Sequence, residues 1–356
     1  HRVSVPFHEP FRISSGAVST KEAVIVEVHA EGLVGYGEAS PMAGSFYSPE
    51  TPESTWRALA EDLAPLLLRR SPATLDGCVA LIGNYASEPF ARAGLENALW
   101  DLEARRQRCP LWALLGGTYW AVPSGLAVGL CDTTADLIAR VRRLLAQGYL
   151  RVKIKITRGW DIEPLEALRR EFPGLALMVD ANGAYGPGDA DLIRELDRFS
   201  LLMVEQPFPR EALELSAEVQ RRMRTPICAD ESADSLAALR RIIELGSARI
   251  LNVKVQRVGG LAAARALHDA AAAASLPCWV GTMPELGIAS AHGLHLATLP
   301  NFTYPSDIEA SDRWYPEDII QPRIELSAYG SIHIPAGPGI GYCPDFTRFV
   351  RQTAEF

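Results

Sequence analysis

The sequence lacks any long uninterrupted apolar run. None of its 356 residues lies in a stretch approaching the roughly 20 apolar residues that a membrane-spanning helix needs. The first residues, HRVSVPFHEPF, also lack the apolar segment of a secretory signal peptide. We therefore expect no membrane partner and a cytoplasmic location.

Closely spaced cysteine pairs are missing as well. The six cysteines are scattered along the chain and form no C-x-x-C motif. Cys228 and Cys278 lie within short apolar runs, which is typical of thiols in a hydrophobic core. This use of cysteine favours a reduced compartment over a disulfide framework.

Positive charge is in deficit. The chain carries 43 acidic against 35 basic residues, for a formal net charge of −8. A nucleic-acid partner needs a basic face to neutralise phosphates, so this balance disfavours one. The hydrophobic fraction of 48% and the charged fraction of 22% are typical of soluble globular proteins.

From about residue 124 onward, short apolar runs alternate with amphipathic stretches rich in Ala, Leu and Arg. This order predicts repeated strand–helix units, and so a parallel sheet with right-handed crossovers. A doubly wound sheet is possible, but many consecutive units of nearly equal length favour a closed barrel. The predicted strands are 125–130, 151–156, 175–180, 201–205, 226–230, 249–254 and 277–281.

The two ends of the chain have a different pattern. The segment AVIVEVHAEGLVGYGEA predicts a β-hairpin that turns at Glu31-Gly32, and two helices follow at roughly 50–69 and 90–107. The Gly/Pro-rich tail is strand-like, and we expect it to return to the first domain. The predicted organisation is an α+β domain over 1–121, a barrel over 122–325 and a C-terminal segment over 326–356.

Five charged residues lie where the predicted strands end. They are separated by 25, 25, 25 and 24 residues, one strand–helix unit each. Active sites of (β/α) barrels form at the carboxyl ends of the strands, so we expect these side chains to converge on one mouth. In chain order they are Lys155, Asp180, Glu205, Asp230 and Lys254.

The three acids in this series predict a metal site. A single acid at a strand end is more often a helix cap or a turn residue, but three carboxylates crowded at one rim repel each other unless a cation lies between them. Oxygen ligands suit Mg²⁺, or Mn²⁺, and the absence of His and Cys from these strand ends argues against zinc.

The lysines predict proton transfer. Because side chains alternate along a strand, Lys153 and Lys155 share the inward face. A second cation nearby favours the neutral amine of Lys155, which can then act as a general base. Lys254 approaches from the far side, so a proton could leave one face of a carbon and return to the other. A metal-binding barrel without catalytic activity is the rival hypothesis, but it has no use for lysines that weaken metal binding.

Several motifs resemble those of the enolase superfamily, specifically its muconate-lactonising subgroup. Within that subgroup the chain is most similar to o-succinylbenzoate synthases and N-succinylamino acid (N-acylamino acid) racemases, over nearly its whole length. The motifs are KIK (153–155), VDANGAY (179–185), VEQP (204–207), ADES (229–232), NVKVQRVGG (252–260), YLRVKIKITRGWDIEP, LPNFTYPSDIEASDRWYPEDII (299–320), IPAGPGIG (334–341), FYSPE (46–50) and ALWDLEARRQRCPLWALLGG (98–117).

The resemblance implies a fold and a set of roles. The fold is a modified TIM barrel, (β/α)7β, with an N-terminal α+β capping domain that the C-terminal tail completes. The implied roles are metal ligation by Asp180, Glu205 and Asp230, and acid/base catalysis by Lys155 with Lys153 as its electrostatic partner. Lys254 is implied to be the opposite acid/base in a racemase, or to stabilise the enediolate and the substrate ring by a cation–π contact in a synthase. Asn182 and Glu231 are implied to support the ligands.

The resemblance also ranks the activities. The first is syn dehydration by an o-succinylbenzoate synthase of menaquinone biosynthesis, and racemisation of N-succinylamino acids follows closely. Muconate cycloisomerisation is third. Dipeptide epimerisation ranks lower, because SDIEAS stands where the usual Asp-x-Asp is expected. All of these act on a small-molecule carboxylate, and we expect a homo-oligomer.

Substrate contacts are predicted from two places. The family closes its mouth with two capping-domain loops, here near 11–20 and 42–47, although their apolar residues could equally serve a domain interface. The loop VGTMPELGIAS (280–290) departs from the family pattern and so leaves the substrate open. The candidates are Phe11, Met42, Phe46, Tyr47, Thr282, Met283 and Glu285.

Two other features are expected to be structural. His268 lies in an Ala-rich helix, where a core position suits it. Arg313, Trp314 and Tyr315 are expected to serve packing or assembly rather than chemistry.

Overall fold

The computed structural model describes residues 1–13, 16–43, 48–85 and 87–356, and the side chains of residues 11–13, 16 and 17 lie outside this description. Phe46, Tyr47 and the side chain of Phe11, all predicted to contact substrate, therefore lie outside it. Within the described part of the chain, none of the helices combines the length and the apolar character needed to cross a membrane.

The described elements follow the predicted order of a mixed domain and then a repeating one. The strands are β1 Arg2–Ile13, β2 Gly16–Ala30, β3 Leu33–Ala39, β4 Ala121–Pro123, β5 Leu126–Val128, β6 Val152–Lys155, β7 Leu177–Asp180, β8 Val204–Glu205, β9 Ile227–Ala229, β10 Ile250–Val253, β11 Cys278–Val280, β12 Ile320–Gln321, β13 Ser331–His333, β14 Cys343–Pro344 and β15 Val350–Gln352. The α-helices are α1 Pro52–Arg57, α2 Ala64–Arg70, α3 Leu75–Gly83, α4 Pro89–Arg106, α5 Leu111–Leu115, α6 Thr134–Leu145, α7 Ile162–Glu171, α8 Ala190–Glu195, α9 Leu213–Arg221, α10 Leu236–Leu245, α11 Val255–Val258, α12 Leu261–Ala273, α13 Gly287–Leu296 and α14 Ser311–Trp314.

The capping domain is built on a four-stranded antiparallel sheet in the order β15-β1-β2-β3. Its β2–β3 hairpin turns at Glu31 and Gly32, both with positive φ, as the sequence predicted. A π-helical turn over Ala58–Leu63 joins α1 to α2, so this helix and α4 match the two predicted ones. The short helices α3 and α5 were not predicted, because each has too few turns to give a clear apolar period.

The C-terminal tail completes this sheet. Val350 of β15 pairs antiparallel with Val3 of β1, so the last strand borders the first. Before reaching that position the tail also forms β13, which pairs with β4 next to the barrel. The predicted return of the tail to the first domain is confirmed.

The barrel contains seven parallel strands in the order β11-β10-β9-β8-β7-β6-β5. Each of the seven predicted apolar runs contains one of them. The less regular segment 302–309 closes the circle. Its Asp307 amide donates to the Val280 carbonyl on β11 (2.9 Å), and its Ser306 carbonyl accepts from the Gly125 amide (2.8 Å), next to β5. The predicted (β/α)7β architecture is confirmed.

The strands have two buried faces of different character. One face packs its apolar side chains, such as Ile154, Val179 and Leu251, into the large core shared with the helices. The other face fills the inside of the barrel with a small separate cluster, formed by Met178, Met203, Cys228, Ile250 and Trp279. Because side chains alternate along a strand, the residue two positions after each member of this cluster points into the mouth of the barrel.

Candidate active site

The predicted rim residues lie at the carboxyl ends of adjacent strands. Lys155 is in register with Asp180, and Asp180 with Glu205. Glu205 pairs with Cys228, which places Asp230 two positions further along its strand. An offset of two residues along a strand leaves the side chain of Asp230 on the same face of the sheet as that of Cys228. Tilted barrel strands produce such a stagger, so equal spacing in sequence does not mean equal register.

The three acids are buried and each one contacts cationic or amide groups. Lys155 Nζ donates to Asp180 Oδ2 at 2.6 Å. Lys254 Nζ and Arg257 Nη1 bind the two oxygens of Asp230 at 2.9 and 2.7 Å. Asn252 Nδ2 donates to Glu205 Oε1 at 2.7 Å, whereas Glu205 Oε2 is buried without a hydrogen bond.

Burial and neighbouring charges act differently on these carboxyl groups. Burial, with the nearby Asp180, raises the pKa of Glu205 to about 8. Burial favours the neutral form of Asp230 as well, but the positive charges of Arg257 and Lys254 outweigh burial, and the pKa of Asp230 lies below its ordinary value. The two acids therefore differ in how far neighbouring cations offset the cost of burying a charge.

Lys153 lies deeper in the barrel than the other lysines. Its Nζ is 2.5 Å from Asp307 Oδ2, 3.2 Å from Glu205 Oε2 and 3.7 Å from Asp180 Oδ2, and it lies 4.9 Å from the centre of the Trp279 ring. Burial opposes the charged form, but these carboxylates outweigh it and raise the pKa of Lys153. Lys153 is therefore a fixed cation, and its charge is balanced by acids from two strands and the closing segment.

Asn182 and Glu231, predicted to support the ligands, lie next to the acids of the rim. Asn182 Oδ1 accepts from Lys155 Nζ at 2.7 Å, and Asn182 Nδ2 donates to Glu231 Oε1 at 2.9 Å. This chain of hydrogen bonds orients Lys155 from the barrel side. On the other side of the rim, Gly281 leaves room for Asn252, because a Cβ at Gly281 would lie 2.1 Å from Asn252 Oδ1.

All three lysines open onto one pocket. Of the predicted substrate contacts, Met42, Thr282 and Met283 line it. Glu285 lies behind this wall instead, where its Oε1 accepts from the Met283 amide at 3.3 Å and it lines a smaller neighbouring cavity. The described lining is Met42, Ala127, Lys153, Lys155, Lys254, Thr282, Met283, Pro284, Asp307, Glu309 and Trp314.

The closing segment adds residues that sequence reasoning missed. Asp307 binds Lys153 and also the buried Arg151 at 2.7 Å, and Glu309 lines the pocket two residues later. The Asp-x-Glu pattern in SDIEAS is the signal that marks them, although it differs from the Asp-x-Asp expected there for dipeptide epimerases. Arg257 and Asn252, which bind the acids, gave no signal because neither ends a predicted strand.

Trp314 has two kinds of contact. The sequence assigned Arg313, Trp314 and Tyr315 to packing or assembly rather than chemistry, and Trp314 does pack edge-on to Phe7 with ring centres 6.2 Å apart, but it also lines the pocket. That assignment does describe Tyr315, which stacks on Phe7 of the capping domain with ring centres 5.2 Å apart. His268 is structural as expected: it is buried, and its ring accepts from the Asn301 amide at 3.0 Å.

The donor set of the rim fits a hard divalent cation. It consists of carboxylate oxygens from neighbouring strands, and one of them, Glu205 Oε2, accepts no hydrogen bond, although Lys153 Nζ lies 3.2 Å away. Within residues 1–13, 16–43, 48–85 and 87–356, no three Asp, Glu, His or Cys side chains are grouped closely enough to hold an ion as they stand. Lys155, Lys254 and Arg257 occupy the acid oxygens, so ion binding requires them to shift.

Comparison with known proteins identifies the family. Residues 1–116 match the N-terminal domain of the mandelate racemase / muconate lactonizing enzyme family, and residues 136–348 match the enolase C-terminal domain-like family. The chain belongs to the enolase superfamily. The family predicted from the motifs is therefore confirmed, and enzymes of this superfamily generally use a divalent metal.

Two curated relatives match almost the whole chain. An o-succinylbenzoate synthase of Geobacillus kaustophilus is 42% identical over 348 residues, which are 97% of this chain and 92% of the relative. An N-succinylamino acid racemase of Amycolatopsis sp is 41% identical over 344 residues, covering 96% and 93%. A solved enolase-superfamily structure from Listeria innocua has a TM-score of 0.93 at 34% identity, covering 99% of this chain and 95% of that one. The relatives are enzymes, as predicted for this chain.

Proposed function

We propose that this protein removes the proton next to a carboxylate of a small-molecule substrate and so forms an enediolate. The reaction that we propose first is the syn dehydration that yields o-succinylbenzoate, in menaquinone biosynthesis. The observation that carries this proposal is the placement of Lys155 and Lys254 around one pocket beside three buried carboxylates. The high identity to an o-succinylbenzoate synthase supports the choice of reaction.

Lys155 is the proposed base. It reaches the pocket from the end of β6, and Asn182 and Asp180 hold its Nζ at 2.7 and 2.6 Å. In a syn dehydration one group can serve twice: the amine takes the proton from carbon, and the resulting ammonium returns it to the departing hydroxyl group. Proton and hydroxide then leave together as water.

Lys254 and Lys153 are the proposed stabilising cations. Both lie on the pocket wall, and Lys254 follows β10, which three strands separate from β6. Negative charge that develops on the substrate carboxylate during proton loss is favoured by such fixed cations in a buried site. Asp180, Glu205 and Asp230 would hold a Mg²⁺ ion, or Mn²⁺, which supplies Lewis acidity for the same carboxylate when bound.

Racemisation of N-succinylamino acids is the second candidate. A specific feature favours it: the two lysines come from opposite sides of the mouth, so one can deprotonate each face of the same carbon. The 41% identity to an N-succinylamino acid racemase agrees with this arrangement. The two activities use the same groups and can coexist in one protein. We also propose that the protein acts as a homo-oligomer in the cytoplasm.

The test is an optical assay of dehydration. The protein is loaded with Mg²⁺ and given the cyclohexadiene precursor of o-succinylbenzoate, and loss of the diene absorbance is followed against a metal-stripped control. We expect metal-dependent loss. If metal is bound and no loss occurs, dehydration is excluded, and exchange of the α-proton of N-succinylamino acids in D₂O then decides whether the racemase proposal stands.

A further inference from the structure

The two lysines differ in the chain around them. The Nζ of each binds a barrel acid, Asp180 or Asp230, but the segment that follows Lys254 also contacts the capping domain. The polar contacts described above for Lys155 come from Asp180 and Asn182, both of the barrel. Lys254 begins a short turn, residues 254–260, which contains α11 and leads into α12. This turn, which we call the Lys254 turn, contacts the capping domain along its length.

Gln256 is the first point of contact. Its side-chain Nε2 donates to the Glu38 carbonyl at 2.9 Å, and its Oε1 accepts from the Ser40 amide at 3.1 Å. Both partners are backbone groups at the end of β3 in the capping domain. Gln256 is 1% exposed and lies two residues after Lys254. A buried side-chain amide that satisfies two backbone groups at once fixes their separation closely.

Helix α4 of the capping domain is the second point. Glu96 Oε1 accepts from the Ala262 amide at 2.7 Å, just after the turn. The packing is close, because a Cβ on Gly260, whose φ is 131°, would lie 2.5 Å from the Glu96 carboxyl group. Together β3 and α4 hold the Lys254 turn from the capping-domain side.

We propose that Gln256 is a positioning residue through which the capping domain sets the place of Lys254, and not that of Lys155. This inference rests on the second candidate function, racemisation, in which both lysines transfer protons. It implies that the two faces of the substrate carbon respond differently when the capping-domain contact is removed. Loss of the contact should slow proton transfer at the face that Lys254 serves.

The experiment compares the two enantiomers of N-succinyl-phenylalanine. Exchange of the α-proton in D₂O is followed by NMR with the Mg²⁺-loaded full chain. The K155A and K254A variants first assign the faces, because each should retain exchange only of the enantiomer whose proton points to the remaining lysine. Gln256→Leu is then the test variant.

A matched control is available at the other end of the barrel. Gln220 is also buried, at 2% exposure, and its side chain also bridges backbone groups, accepting from the Ile227 amide at 2.6 Å. It lies before β9, at the amino end of the strands. Gln220→Leu should therefore cost similar stability without touching the mouth.

We expect Q256L to lower exchange of the Lys254-facing enantiomer about 10-fold more than exchange of the other, because misplacement of a reacting group by about 1 Å can cost 10²-fold. Q220L should leave the ratio of the two rates unchanged. Equal loss for both enantiomers in Q256L, or the same change of ratio in Q220L, would overturn the inference. If the wild type exchanges one enantiomer only while dehydration proceeds, Lys254 is not a base; the inference then fails and the dehydratase proposal stands. If the wild type neither exchanges the α-proton nor dehydrates the precursor, both the inference and the proposed function fail.

Discussion

The two sides of the barrel mouth differ in regularity. On the side of β6 to β10, charged residues follow one another at the ends of hydrogen-bonded strands, as Lys155, Asp180 and Glu205 do. On the other side the closing segment 302–309 makes only isolated bridges, to Cys278 and Ser124. The regular side carries the proposed acid/base and metal groups. The closing side carries Asp307, Glu309 and, just beyond it, Trp314, which complete the charge balance and the pocket wall.

Lys153 links the two sides. It stands on β6, yet its shortest contact is to Asp307 of the closing segment. In this barrel the repeating strands present the reactive groups. The non-repeating closing segment supplies the carboxylates that neutralise buried cations and part of the wall that encloses the pocket. The following predictions test that division.

The largest effect on stability is expected from Asp307→Asn. This change leaves Lys153 and Arg151, which are 5% and 1% exposed, without the carboxylate that joins them. Removing one partner of a buried ion pair costs about 3–5 kcal/mol, because the remaining charge stays buried. Urea unfolding of the variant checks this. A loss below 1 kcal/mol would show that the closing segment does not hold the barrel together.

A smaller and pH-dependent effect on stability is expected from Glu96→Gln. Glu96 lies where the capping domain meets the Lys254 turn. Burial raises the pKa of Glu96 to about 7. Because the folded pKa exceeds the unfolded one, this group's contribution to stability is complete below about pH 4.5 and is lost as the pH rises to 7.

The glutamine variant stays neutral and does not suffer this loss. We expect its free energy of unfolding, relative to the wild type, to improve by up to about 3 kcal/mol between pH 4.5 and 8, since each pKa unit is worth about 1.4 kcal/mol. Unfolding curves at both pH values measure it. If the difference in free energy of unfolding between variant and wild type stayed constant from pH 4.5 to 8, the raised pKa of Glu96 would be contradicted.

A kinetic effect of about 10-fold is expected from Trp314→Ala. The indole lines the pocket on the closing side, away from the rim acids. Loss of its apolar contact should raise KM more than it lowers kcat, because the contact is made to the bound substrate as well as to the transition state. Trp120→Ala is the matched control, since that tryptophan is 71% exposed and does not line the pocket. A similar rise in KM for both variants would contradict a contact between Trp314 and the substrate.

The smallest effect is expected from Arg142→Ala. Its ion pair with Glu171 lies between side chains that are 58% and 42% exposed. Exposed pairs contribute about 0.2–1 kcal/mol, so unfolding should change by less than about 1 kcal/mol. The contrast with Asp307→Asn separates the effect of burial from that of charge alone. Equal losses in the two variants would mean that burial does not explain the importance of Asp307.

The regular side of the mouth could be predicted because local patterns define it. Strand alternation, the step of one strand–helix unit and the residue types at the strand ends were enough to bring Lys155 and Asp180 together. The closing side could not be predicted in this way. Its segment contains Pro305, follows Pro300 closely and has no apolar run, so neither helical nor strand periodicity marks it.

Long-range contacts also escaped prediction. Gln256 meets Ser40 across 216 positions of sequence, and no local pattern links an amide after one strand to the end of another in a different domain. Similarly, the position of Glu285 behind Met283 depends on the packing of the capping domain, whose Glu38 accepts from the Leu286 amide at 2.9 Å. Such contacts depend on how two folded units meet.

The most direct test of the central claim is the turnover of Lys155→Ala. Its dehydration rate is measured at saturating Mg²⁺, alongside thermal unfolding and Mg²⁺ binding. Since a general base contributes about 10²–10⁴-fold, we predict a loss of about 10³-fold or more with the fold and metal binding retained. Turnover at the wild-type rate by a folded, metal-bound variant would contradict the assignment of Lys155 as the base.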